Sequence, residues 1–138
     1  MNPERMRARG VAFSQRQRAS LPGYQLVFNV FEESEAGIGY ANIVSQNGAV
    51  TVEGMLYEIS ESGFVKLDCA ENAPDSYQRC TVKVTVDGGG EIEAMAYIGK
   101  RTRSHLLPTK EYLNHLIVGS GLLSAEYQSW LRTIKTAD

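Results

Sequence analysis

Two carboxylates stand three residues apart in Leu67-Asp68-Cys69-Ala70-Glu71. They are the first place to look for proton-transfer chemistry, because few other side chains here are spaced for a reaction. On spacing alone Glu71 is a solvated acid at a helix end, where most glutamates sit. Asp68 is expected to cap the helix or hydrogen-bond nearby backbone. His105 lies in a polar stretch near Arg101 and Arg103, and His115 lies in a helical segment without an acidic, Ser or Cys partner at useful spacing. Adjacency of Ser104 and His105 is no sign of a nucleophile and its base, since triads are defined in space. Cys69 and Cys80 lack the CxxC or Cys/His spacing of a metal site and read as free thiols, with Cys69 expected as a small buried apolar group. Three glycines at 88–90 are followed by a strand pattern, so no helix N-terminus is available there to hold phosphate.

The elements that must position these groups can be read from turns and periodicity. Asn2-Pro3-Glu4 has the form of an N-cap, a first-turn proline and an acidic first turn, with Gly10 to end the helix. Strands are expected at 24–31, after the turn Leu21-Pro22-Gly23, and at 40–44. A further strand at 50–59 would follow a hairpin turn at Gln46-Asn47-Gly48. Gly54 inside that strand suggests a bulge or a close backbone approach, as in a pocket wall. Ser60 and Ser62 can cap a short helix over 64–68. Residues 77–86 alternate, with Cys80, Val82, Val84 and Val86 on one face, and 92–98 return after the glycine turn. Thr109 and Ser124 cap two final helices, at 110–119 and 125–134. The order predicts an α+β domain with a mainly antiparallel β-barrel, short helices and a C-terminal helix pair.

With 138 residues and ordinary globular composition, the chain reads as one domain, 1–138. A formal charge of −2 gives no electrostatic case for nucleic acid or an anionic membrane. The five arginines between Arg5 and Arg18 lack interleaved aromatics for base stacking and read as a solvated face. There is no secretory leader and no apolar run of the roughly 20 residues that a spanning helix needs, so a cytoplasmic location is expected.

Several stretches, in order, resemble the gamma-glutamylcyclotransferase-like (AIG2-like) family. Arg18-Ala19 with Leu21-Pro22-Gly23-Tyr24-Gln25-Leu26-Val27-Phe28 is similar to its second-strand signature. Gly39-Tyr40-Ala41-Asn42-Ile43 and Val52-Glu53-Gly54-Met55-Leu56-Tyr57-Glu58-Ile59 resemble its central strands. Leu67-Asp68-Cys69-Ala70-Glu71, followed by Tyr77, resembles its acidic motif. Pro108-Thr109-Lys110-Glu111-Tyr112, then Gly119 and Leu122 to Tyr127, resemble its C-terminal helices.

The resemblance implies a small gamma-glutamyl substrate and an intramolecular aminolysis. The substrate's α-amine attacks its own γ-carbonyl, closes 5-oxoproline and releases the free amine, with neither metal nor cofactor. It implies Glu71 as general base, Tyr112 as a substrate contact, and Met1, Asn2 and the pocket wall at Gly54 as further substrate-binding positions. Asn2-Pro3-Glu4-Arg5-Met6 resembles the helix that follows the family's first strand and Tyr-Gly-Ser-Asn loop. The chain is therefore expected to be N-terminally truncated relative to the family, with an exposed strand edge that invites a homodimer. A non-catalytic small-molecule-binding or interaction module on the same fold is the alternative.

Overall fold

A computed structural model describes residues 2–138. The chain folds as helix α1 (Pro3–Ala8), strands β1 (Gln15–Pro22), β2 (Tyr24–Val30), β3 (Tyr40–Ser45) and β4 (Thr51–Glu58), and helix α2 (Glu61–Ala70). Strands β5 (Tyr77–Val86) and β6 (Glu91–Gly99) and helices α3 (Lys110–Val118) and α4 (Ala125–Thr133) complete it. All strand pairs in the sheets are antiparallel. One sheet has the order β4-β1-β5-β6, and β2 with β3 forms a second. Together they curl into an open barrel around a hollow.

Local chemistry sets the boundaries. The Asn2 side chain accepts from the Glu4 N–H at 3.0 Å, and Pro3 supplies the preset φ of a first turn. Ser60, Thr109 and Ser124 cap α2, α3 and α4 by accepting from Gly63, Tyr112 and Tyr127 N–H. The cap of α4 has a second tether: Glu53 of β4 accepts from the Ser124 N–H at 2.9 Å and its hydroxyl at 2.6 Å, placing a carboxylate at a positive helix end.

The turn at 46–48 makes no hairpin. β3 pairs with β2 and β4 pairs with β1, so this segment crosses between sheets. The joint is at Gly23, whose φ of +79° only glycine adopts without strain. Its N–H donates to Val50 O and its carbonyl accepts from the Gln46 N–H, each at 2.9 Å. Gly54 carries no bulge: it sits opposite Ala19 in an unbroken register, and no atom lies within 4 Å of where its Cβ would be. The glycine leaves space rather than admitting a neighbouring backbone.

The inner faces carry Ala19, Leu21, Val82 and Val84, with Ile43, Val52, Leu56, Ala94 and Ala96 packed against them. Among the described residues no ladder joins the small sheet to β6. Instead the Asn42 side chain, 4% exposed, binds three ways. Its Nδ2 donates to Asn29 Oδ1 at 2.9 Å, and its Oδ1 accepts from Gly99 N–H at 2.8 Å and Ile43 N–H at 2.9 Å. A Cβ at Gly99 would lie 2.2 Å from Val30 Cγ2, so the approach requires glycine.

Asn42→Ala is expected to destabilise the fold by about 1–3 kcal/mol for each buried group left unpaired. Urea denaturation followed by circular dichroism checks this; an unchanged midpoint would mean that other contacts hold the sheets together.

Candidate active site

The hollow is a cavity of about 640 Å³, within the range of small-molecule sites. Small residues keep it open: Gly54 faces Ala19 on one wall, and Ala94 and Ala96 face Val82 and Cys80 on another. Polar groups gather where α1, the end of α2 and α3 meet the strands.

Glu71 is delivered by the end of α2. Its N–H closes the last turn on Leu67 O at 2.8 Å, and the chain then turns at Asn72, with φ of 52°. Asn72 Nδ2 donates to Ser76 Oγ at 2.9 Å, while Ser76 N–H donates to Asn72 O at 2.8 Å. This tight turn fixes the helix end. The Glu71 side chain is only 22% exposed, lines the cavity, and accepts from Arg9 Nη1 at 3.0 Å through Oε1. Among the described residues no hydrogen bond occupies Oε2.

Tyr112 also lines the cavity, and its hydroxyl is tied to the backbone. It accepts from Ala41 N–H at 3.2 Å, while its ring packs edge-on to Tyr40 with centroids 5.0 Å apart. Burial raises its pKa, against the lowering effect of the Ala41 N–H and, less strongly, of Arg5 and Arg9 nearby. The phenol therefore keeps its proton at neutral pH, and that proton is free to be donated inward. Tyr77 plays the complementary part: its hydroxyl donates to Ala41 O at 2.7 Å, so two tyrosines clamp one residue's peptide groups. Its pKa is also raised, first by burial. The Tyr40 hydroxyl donates to Glu35, and this bond, with burial, pushes its pKa up to about 12.

Asn2 and Gly54 line the same cavity, whereas Met1 lies outside the described residues. The Asn2 Oδ1 is committed to its helix cap. Three expectations are corrected. Among the described residues the Asp68 side chain bonds no backbone: it accepts from the Tyr97 hydroxyl at 2.6 Å and pairs with Arg79 Nε at 3.1 Å, bracing the wall behind Glu71. Cys69 is exposed on α2 rather than buried, because Leu67 and Gly63 form that helix's buried side. The arginine run is no uniform solvated face, since Arg5 and Arg9 reach into the cavity. Their spacing of four puts them on one side of a helix, a signal present in the sequence. What the sequence did not supply was the partner, 62 residues away.

A family model described as "Gamma-glutamyl cyclotransferase, AIG2-like" matches residues 1–114. A protein of Methanocaldococcus jannaschii that carries the provisional name gamma-glutamylcyclotransferase is 31% identical over 80 residues, covering 55% of this chain and 67% of that one. Among solved structures, a gamma-glutamyl cyclotransferase superposes with a TM-score of 0.86 at 26% identity. An uncharacterized protein from Homo sapiens superposes with a TM-score of 0.85 at 27% identity. Each alignment covers 99% of this chain and 83% of the other.

Tyr77→Phe should cost about 1–3 kcal/mol by stranding the Ala41 carbonyl. The raised pKa adds a pH signature. Above about pH 10 unfolded tyrosines ionise while folded Tyr77 stays protonated, so wild-type stability is intact below that pH and falls above it. Urea midpoints from pH 7 to 11 should show a shallower alkaline fall in the variant; parallel curves would contradict the assignment.

Proposed function

The chain belongs to the gamma-glutamyl cyclotransferase, AIG2-like family, and from that premise we propose that it cyclises a gamma-glutamyl amine or peptide to 5-oxoproline. The observation that carries this reading is the Glu71 carboxylate, mostly out of water, beside a cavity large enough for a folded glutamyl group. In this reading the substrate's α-ammonium passes a proton to Glu71 Oε2, and Arg9 holds the carboxylate still through Oε1. The freed amine attacks the γ-carbonyl carbon and the ring C–N bond forms. The bond to the leaving nitrogen then breaks as that nitrogen takes the proton from Glu71, and the ring nitrogen gives its own surplus proton to the freed carboxylate, which passes it to the departing amine or to solvent.

Nucleophile and electrophile belong to one molecule, so confining the curled conformer supplies the proximity term. A protonated amine cannot attack, so proton removal is the step the protein must provide. The Tyr112 hydroxyl proton is a donor available to the carbonyl oxygen as charge develops. Gly54 serves as substrate wall by lacking a side chain, and no covalent intermediate or cofactor is needed.

Glu71→Gln keeps the shape and the acceptor for Arg9 but removes the base. It should lower kcat for 5-oxoproline release by about 10²–10⁴-fold with the circular dichroism spectrum unchanged. Release at the wild-type rate would remove Glu71 from the mechanism. Gly54→Ala meets no atom within 4 Å, so it should leave the melting temperature nearly unchanged while raising KM. A lower melting temperature with KM unmoved would place Gly54 outside the substrate site.

A further inference from the structure

α1 and its C-cap residue bring two guanidinium groups to the cavity, and only one has an acidic partner among the described residues. Arg9 is taken by Glu71 at 3.0 Å. Arg5, one turn earlier, lies over the Tyr112 ring with its Cζ 5.7 Å from the centroid. Among the described residues Arg5 has no ion pair, although Arg7 on the other side of the helix pairs with Glu4 and stacks on Phe13. The remaining acids of the cavity are placed elsewhere: Glu53 holds the α4 cap and Glu32 accepts from Ser76. A half-buried cation stacked on an aromatic face with its N–H fork unspent is a receptor for a planar anion, and a carboxylate fits that fork with two parallel bonds.

We propose that Arg5 is a specificity-determining residue that binds the α-carboxylate of the substrate and so selects free amino-acid head groups over their amides. The inference rests on the cyclotransferase reading and deepens it. The α-carboxylate and α-amine share one carbon atom. Arg5 and Arg9 are neighbours on one helix face, about 6 Å apart at Cβ. A carboxylate on Arg5 therefore sets the amine toward the carboxylate that Arg9 holds. Tyr112, beneath the guanidinium, restricts its rotation, which reduces the entropy lost on binding.

The test compares L-γ-glutamyl-p-nitroanilide with its α-carboxamide counterpart on wild type, Arg5→Met and Arg5→Lys. Wild type should prefer the carboxylate substrate by about 10–100-fold in kcat/KM, the scale of one charge-assisted pair. Met should bring that ratio close to one, chiefly through KM, and Lys should restore part of it. A ratio in Arg5→Met equal to wild type, with turnover intact, overturns the assignment and leaves the cyclotransferase reading standing. If wild type releases no 5-oxoproline from either compound, that reading fails by itself. Calorimetric binding of 5-oxoproline against 5-oxoprolinamide to the same three proteins then decides Arg5. Preference for the acid that is lost in Met supports the proposal, and equal binding or none overturns it. A merely structural Arg5 would lower the melting temperature without changing either ratio.

Discussion

Arg9 and Glu71 hold each other at 3.0 Å with about three-quarters of each side chain withdrawn from water. Withdrawing two opposite charges from water is costly, and their mutual attraction and hydrogen bond offset that cost. The pair joins the first helix to the end of the second across 62 residues. It sets where α1 lies, and with it which of that helix's other side chains face inward. Lys66 reinforces the placement by donating to Gly10 O at 2.9 Å, so α2 grips the segment after α1 at two points. Because the ion pair engages one carboxylate oxygen, it orients Glu71 without consuming it.

The hollow beside this pair is maintained by omission and by clamping. Gly54, Ala19, Ala94 and Ala96 present too little side chain to fill the barrel, while Val82, Val84 and Leu21 keep its floor apolar. Groups that would otherwise be stranded around the space are tied to each other. Asn42 serves three partners, and the Ala41 peptide groups are met by Tyr77 on one side and Tyr112 on the other. These bonds replace the ladder that the two sheets lack, and they settle which tyrosine protons remain to give. Tyr77 spends its own on a carbonyl, whereas Tyr112 accepts from an amide and, among the described residues, donates its proton to no partner.

Much of this was legible in residue order. Caps at Asn2, Ser60, Thr109 and Ser124, and the alternation at 77–86, are local signals that tertiary packing had no reason to override. The Gln46-Asn47-Gly48 turn misled because turn chemistry reports a reversal, not which strands then pair; pairing was decided by inner-face packing and by Gly23. Gly54 pointed correctly to a wall, for a different reason than a bulge. Asp68 and the arginines could not be read, since their partners, Tyr97, Arg79 and Glu71, are distant in sequence. A guanidinium's fate depends on what three-dimensional folding brings to it, and an arginine-rich helix looks the same whether it faces water or a cavity.

The proposed cyclisation requires a substrate amine to meet the side chain at position 71 inside the barrel. The direct measurement is a crystal structure of the Glu71→Gln protein with an unprocessed gamma-glutamyl amide. The ligand should lie curled in the cavity, its α-nitrogen about 2.6–3.2 Å from the residue-71 side chain, or one water away. A ligand seated outside the cavity, or inside it with the α-nitrogen turned to another wall, would exclude Glu71 as the base.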